Sequence, residues 1–239
     1  AGTTLPLLET KNVPGSDFNG WGVSGRIDWR LTDQLALAAI SAYRKYDAEF
    51  TNDDDLSPLA IGNGHSQLHF RSFSQELRLN GAFGADDAVE YTIGGFYMDQ
   101  RSVYPTYQDL RYVAVYPLQF QRNNPINADN KAVFRHLSWH ALDKLTLTGG
   151  VRYTKEHKDY TFSRRNRDGT VNPWLAVVDG VVGEYDGSRT DYRANVQYQW
   201  TPDLMTYVQV STGFKGGGIG PRPFNAAQAR EFGPEELTA

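Results

Sequence analysis

The sequence has no cysteine and only two methionines. The first absence excludes a disulfide scaffold, a thiolate metal centre and a cysteine nucleophile. Nowhere does an apolar run reach the 18 residues that a membrane-crossing helix needs, and mean hydropathy is −0.54. That excludes an ordinary transmembrane helix but not a spanning strand, which turns only every second side chain toward lipid. Excess positive charge is missing too: the net charge of −4 leaves no electrostatic footprint for nucleic acid. The first residues, Ala1 to Glu9, carry neither a basic stretch nor a cleavable apolar core, so if the protein is exported its signal is expected upstream of Ala1.

What is abundant is aromatic: 14 Tyr, 12 Phe and 5 Trp, together with 23 Gly, a mixture suited to strands and turns. The dominant pattern is alternation with period 2. Trp21, Val23, Ile27, Trp29 and Leu31 share one side of a strand, while Ser24, Arg26, Asp28 and Arg30 take the other. Leu145, Leu147, Gly149, Val151 and Tyr153 oppose Thr146, Thr148, Gly150, Arg152 and Thr154. Tyr192, Ala194, Val196, Tyr198 and Trp200 oppose Arg193, Asn195, Gln197 and Gln199, and Tyr91, Ile93, Gly95 and Tyr97 give a weaker fourth case. Flanks and propensity predict further strands over 35–50, 67–80, 130–142 and 204–216. In the third of these Arg135 falls on the apolar side, which a bulge or a stretch standing above a membrane would explain. The last can be phased either way.

Connections alternate in length. Short links fall at Thr32–Gln34, Gly81–Ala88, Asp143–Lys144 and Thr201–Asp203, each with turn-forming residues; long ones fall at Thr51–Ser66, Pro105–Asp129, Arg164–Ser188 and from Gly217 onward. One end of the meander is trimmed and the other decorated, as in outer-membrane barrels with short periplasmic turns and long extracellular loops. Aromatics at the ends of the apolar faces suit the two interfaces of a bilayer. The fold expected is therefore all-β: an antiparallel up-and-down transmembrane β-barrel segment of about eight long strands. Charged residues on the polar face favour a wide, hydrated lumen over a narrow one filled with side chains. A small closed outer-membrane barrel with a structural or adhesive role, and a soluble β-barrel or sandwich, are the alternative readings.

Several motifs carry possible chemistry. The segment from Tyr104 to Arg122 holds Tyr107, Arg111, Tyr112, Tyr116 and Arg122, aromatic faces and cations that would grip an aromatic or anionic ligand, or else extend a strand. Arg164, Arg165 and Arg167 stand at a strand exit on the decorated side, either solvated or touching lipopolysaccharide phosphate. Asp53, Asp54 and Asp55 form a solvated loop in preference to a calcium site. His136 and His140 on a strand lie about 13 Å apart, too far to share a zinc. No nucleophile, base and orienting acid are arranged for catalysis, so no enzyme and no cofactor are expected.

The stretches Phe73-Ser-Gln-Glu-Leu-Arg-Leu79, Tyr91-Thr-Ile-Gly-Gly-Phe-Tyr97, Leu145-Thr-Leu-Thr-Gly-Gly-Val-Arg-Tyr-Thr154 and Tyr207-Val-Gln-Val-Ser-Thr-Gly-Phe-Lys-Gly-Gly-Gly218 are followed by Pro221-Arg-Pro-Phe-Asn225 and Phe232-Gly-Pro-Glu-Glu-Leu237. In this order and spacing they resemble the middle of the barrel of TonB-dependent receptors. The resemblance implies residues 1–239 as part of a barrel of about 22 strands, with plug and terminal strands outside the chain. It also implies residence in the bacterial outer membrane among lipid and lipopolysaccharide, and uptake of a scarce small molecule such as a ferric siderophore. Energy would come from the TonB complex through the plug segment, with Arg26, Arg30, Arg152 and Arg193 facing lumen and plug.

Overall fold

The structure, a computed structural model, describes residues 15–56, 58–112 and 118–239. Eight long strands follow one another: β1 (Gly15–Thr32), β2 (Leu35–Asp53), β3 (Asn63–Phe83), β4 (Val89–Asp109), β5 (Gln119–Leu142), β6 (Leu145–Thr161), β7 (Val182–Thr201) and β8 (Leu204–Lys215). Each pairs antiparallel with the next, and a short β11 (Glu235–Thr238) adds to β8, giving a nine-stranded meander. The β1 and β11 edges do not pair with each other, so the sheet is open rather than the small closed barrel the sequence also allowed. A separate ribbon of β9 (Gly218–Ile219) and β10 (Glu231–Phe232) lies in the segment between β8 and β11.

Register keeps the two faces apart. Directly opposed residues share a face, and Ile27, Ala39, Leu77, Gly95, Val133 and Tyr153 form one continuous cross-strand row. Arg30, Ala36, Asn80, Thr92, His136, Gly150, Arg193 and Ser211 form a row of the opposite face. Register shifts occur only beside the short turns, at Arg30/Thr32, His140/Leu142 and Gln199/Thr201. No bulge therefore intervenes at Arg135. It stands on the apolar face between Ile93 and Val151, in an unbroken ladder. The ambiguous β8 is phased by the same rule, with Val208 and Val210 joining the apolar face.

The apolar face is not a core. Trp21, Ile27, Val133 and Val208 are 57%, 71%, 62% and 73% exposed, and so are most large side chains of that face. Buried apolar clusters lie instead at the loop end: Tyr160, Phe162, Tyr185 and Ile219 form one, Phe120, Leu175 and Val178 another. The sheet proper is held by its ladders and its polar-face packing.

Strands outrun the expected spans on the loop side. β4 continues to Asp109 and β5 begins at Gln119, so most of Pro105–Asp129 is a paired hairpin rather than a loop. Polar side chains on both faces hide the period that marks the lower strands, while backbone pairing proceeds regardless of it.

Glycine placement gives a test of this register. A Cβ at Gly94 would lie 2.7 Å from the Leu77 carbonyl oxygen and overlap the Phe134 ring, whereas at Gly25 it would meet nothing within 4 Å. Gly94→Val is expected to cost about 1–3 kcal/mol by overpacking, and Gly25→Val to be neutral or slightly stabilising. Thermal unfolding of the intact protein in detergent, read by gel mobility, distinguishes them.

Candidate ligand-binding site

Above the apolar band, continued pairing sets one wall of a cavity. Tyr104 opposes Asn124, Thr106 opposes Arg122 and Gln108 opposes Phe120, so these side chains share the polar face. Phe50, Asn52 and Asp54 come from the end of β2 and its exit, Ser66 from β3, and Leu110 and Tyr112 from the β4–β5 turn. The β6–β7 connection adds Arg164 and Leu175; the segment between β9 and β10 adds Arg222, Pro223 and Phe224. Together they enclose about 580 Å³.

Two long connections are fixed well enough to do this. In the β6–β7 connection Asp179 accepts from the Arg164 backbone N–H at 2.8 Å and pairs with Arg165 at 2.8 Å, while Arg165 bridges to Gln121 of β5. The segment after β8 folds back because Ile219 packs on Tyr160, Phe162 and Tyr185, and Lys158 donates to the Gly217 carbonyl at 2.6 Å. Gly216 and Gly217 permit that return: a Cβ at the first would overlap the Glu156 carboxylate, and at the second the Phe232 carbonyl.

The cavity is electropositive. Three guanidiniums, those of Arg122, Arg164 and Arg222, face one carboxylate, Asp54, which already accepts from Gln108 at 2.8 Å. Arg164 is 2% exposed, donates to the Ser163 carbonyl at 2.8 Å, and lies over the rings of Phe162 and Phe120. Burial, with the nearby Arg122 charge, pushes its pKa down to about 10. Burial likewise lowers that of Arg122, and its Nε is buried without a hydrogen-bond partner among the described residues. Both groups stand above the apolar band. Desolvated cations with an orphaned donor are offset by an entering anion, which replaces lost water and supplies an acceptor. Phe50, Tyr104, Tyr112, Phe120 and Phe224 provide ring faces, Phe50 and Tyr104 with centroids 5.9 Å apart.

Of the residues expected from sequence, Tyr112 and Arg122 meet in this cavity. Arg111 does not; it forms a forked pair with Asp109 (Nη2–Oδ2 2.7 Å) and donates to the Ala60 carbonyl, fixing the hairpin end. Tyr107 opposes Gln121 on the other face and lines a smaller hollow of about 370 Å³ with Arg167 and Trp174. Tyr116 lies outside the described residues. Sequence reasoning missed Arg164 as a buried cation, and Arg222 and Phe224 altogether. The signal for the last two was the glycine run before Pro221, which marks a chain that returns.

The four expected polar-face arginines do share one face, in different states. Arg26 pairs with Asp28 at 2.7 Å, and Arg152 lies over the Phe96 and Phe134 rings. Arg30 and Arg193 occupy one cross-strand row; neither has a hydrogen-bond or ion-pair partner among the described residues. His136 and His140 of β5 turn to Ser138 and Thr146, and no three metal-ligating side chains gather among the described residues.

A family model described as "TonB dependent receptor-like, beta-barrel" matches residues 3–238. The fold is similar to that of the ferric yersiniabactin uptake receptor FyuA from Yersinia pestis, at TM-score 0.73 and 18% identity over 96% of this chain and 34% of that one. It is also similar to the copper transporter OprC (TM-score 0.69, 14% identity, 92% and 35% of the two chains). The siderophore receptor PiuA from Acinetobacter baumannii gives TM-score 0.67 at 13% identity, over 87% and 34%. The chain thus spans about a third of the length of these solved structures.

Arg111 and Tyr112 are neighbours with separate tasks. Because Asp109 is fully buried, Arg111→Ala leaves its carboxylate with little beyond Gln119 and is expected to speed limited proteolysis between β4 and β5 at least several-fold. Tyr112→Ala is expected to leave the cleavage rate unchanged.

Proposed function

The chain belongs to the TonB dependent receptor-like β-barrel family, and from that premise we propose that it is part of an outer-membrane receptor that imports a scarce, anionic, ring-bearing nutrient such as a ferric siderophore. The cavity at the loop end carries this reading: two desolvated guanidiniums, Arg122 with an orphaned Nε and Arg164, stand with the exposed Arg222 among five aromatic rings. Ferric complexes of aromatic chelators present both features, and their iron arrives already coordinated.

The apolar face supplies the membrane part of the reading. On β1, Trp21 and Trp29 are eight residues apart, which is about 26 Å along a strand. At a tilt near 40° that becomes roughly 20 Å of height, close to the apolar band of outer-membrane barrels. Leu31, Phe83, Trp139 and Trp200 border the band on the short-turn side; Tyr43, Tyr97, Tyr153 and Tyr192 border it on the loop side. The polar face then lines the lumen. There Arg30 and Arg193, free of partners among the described residues, are the arginines best able to contact a plug that TonB would act on. Arg26 and Arg152 face the same lumen with partners already made.

Two measurements on the full-length receptor test these readings separately. For the site, Arg122→Ala with Arg222→Ala is expected to weaken binding of a ferric tris-catecholate at least about tenfold, since each charge-assisted contact is worth about 1.5–3 kcal/mol. Binding of an uncharged ferric hydroxamate should be unaffected; equal catecholate affinity in variant and parent removes the cavity from the transport path. For the membrane, Arg135 stands midway down the lipid-facing side of β5. Arg135→Leu is expected to stabilise the barrel in phospholipid bilayers by about 2–4 kcal/mol. Destabilisation there would place that face against protein.

A further inference from the structure

One cross-strand row crosses the apolar band from border to border. It runs from Trp29 of β1 to Tyr192 of β7 by way of Ile93, Arg135 and Val151, each directly opposite the next on its neighbouring strand from β4 onward. Trp29 stands toward the short-turn side and Tyr192 at the loop side, so Arg135 lies inside the band and is the one charge in the row. Along β5 the same face reads Trp139, Leu137, Arg135, Val133 and Lys131. Arg135 is thus four residues from Trp139 and four from Lys131, about 13 Å along the strand either way. An arginine near a border lays its stem on apolar surface and keeps its head among polar groups; from the middle of the band both borders are farther than the side chain extends.

The other polar groups in the band look after themselves. Ser41 and Gln75 are directly opposed and hydrogen-bonded to each other. Arg135 is exposed and has no hydrogen-bond or ion-pair partner among the described residues. The ground around it is open as well. Two of its four diagonal neighbours on this face are Gly95 and Gly149. A Cβ at Gly149 would meet nothing within 4 Å, and at Gly95 only the Ala132 carbonyl oxygen at 3.8 Å. The guanidinium therefore stands between two places where another chain can come close to the sheet.

We propose that Arg135 anchors a lateral docking site for a different membrane protein, one whose spanning segment brings an unpaired carboxylate to mid-depth against β4, β5 and β6. Charge decides the occupant. A lone cation inside the hydrocarbon is costly, and ionisable groups at that depth pair with one another. A carboxylate matches the guanidinium fork with two parallel bonds, which are strong where water is excluded. Lipid phosphates stay at headgroup level, beyond the reach of Arg135. A second copy joined through this face fits no better, since among the described residues no Asp or Glu stands on it between the aromatic borders, and two Arg135 side chains would repel. The proposal rests on the membrane reading of the apolar face but on no property of the ligand cavity.

The test uses the full-length receptor in phosphatidylcholine vesicles. The probe is a synthetic spanning helix of leucine and alanine with one central glutamate, compared with its glutamine twin, and association is read by energy transfer between labels on peptide and receptor. The parent should bind the glutamate peptide at least about tenfold more tightly than the glutamine peptide, equivalent to one charge-assisted contact. Arg135→Lys should keep a preference, and Arg135→Leu should bind the two alike. Because Arg135→Leu is expected to be the more stable protein in such bilayers, misfolding does not account for that loss. In intact cells a photocrosslinking benzoylphenylalanine in place of Leu137 should give one discrete adduct with a second protein. That adduct should vanish with Arg135→Leu, and when the captured protein's own mid-span carboxylate is changed to the amide. Equal binding of the two peptides by the parent, a preference kept by Arg135→Leu, an absent adduct, or an adduct of two receptor copies overturns the proposal. Quenching of Trp21 and Trp29 by brominated acyl chains separates the two levels: quenching with equal peptide binding sinks the docking site alone, and no quenching sinks the membrane reading with it.

Discussion

Everything in this molecule is arranged around an apolar sheet face for which the described residues provide no cover. Nine strands satisfy their backbone groups laterally, in ladders that run almost without a shift from turn to turn. The side chains of one face, with Trp21, Ile27, Val133 and Val208 more than half exposed, find no second layer. An apolar expanse of this size is tolerated only where another phase or partner removes it from water. Helices with one apolar stripe pack on each other, but a sheet curving into a barrel puts that face outward, where hydrocarbon is the cheapest solvent.

That constraint also explains where the few buried residues are. With the sheet body carrying no apolar layer on either side among the described residues, the apolar clusters lie at the loop end. There Tyr160, Phe162, Tyr185 and Ile219, and Phe120, Leu175 and Val178, pin the long connections. The pinned connections are what bring Arg164 and Arg222 to Arg122. The cavity thus arises from the extension of the same strands that carry the apolar face: on β5 one ladder carries Trp139 and Val133 at the apolar band and Arg122 and Phe120 at the cavity.

How much of this could be read in advance depends on which residues carried a period. The faces of β1, β6 and β7 were legible because Trp21, Leu147 and Tyr192 repeat every second position against charge. The alternation of short and long links gave the up-and-down order. The hairpin from Pro105 to Asp129 was not legible, since Tyr104, Thr106 and Gln108 on one side and Tyr107 and Asp109 on the other leave no polarity contrast to mark a strand. Arg111 looked like a ligand residue for the same reason that it serves as a clamp: a guanidinium near a carboxylate two residues away cannot be told in sequence from one aimed at solvent. Arg222 and Phe224 reach the cavity only through a chain reversal some 60 residues beyond Arg164, and no local pattern announces a contact of that kind.

Period 2 leaves little freedom, because shifting one strand by one residue would turn every side chain of its apolar face to the polar face. Exceptions to the pattern are therefore informative, and the apolar face contains two sorts. Lys45, Arg71, Lys131 and Lys155 break it one same-face step beyond the last aromatic or aliphatic residue of each strand's apolar run. The same break on four strands marks where the apolar run ends on each. Arg135 breaks it singly, between Ile93 and Val151, in a ladder too regular for the strand to turn it away. The sheet tolerates that one misplaced charge because the ladder bonds, and not the side chains of this face, hold the strand in register.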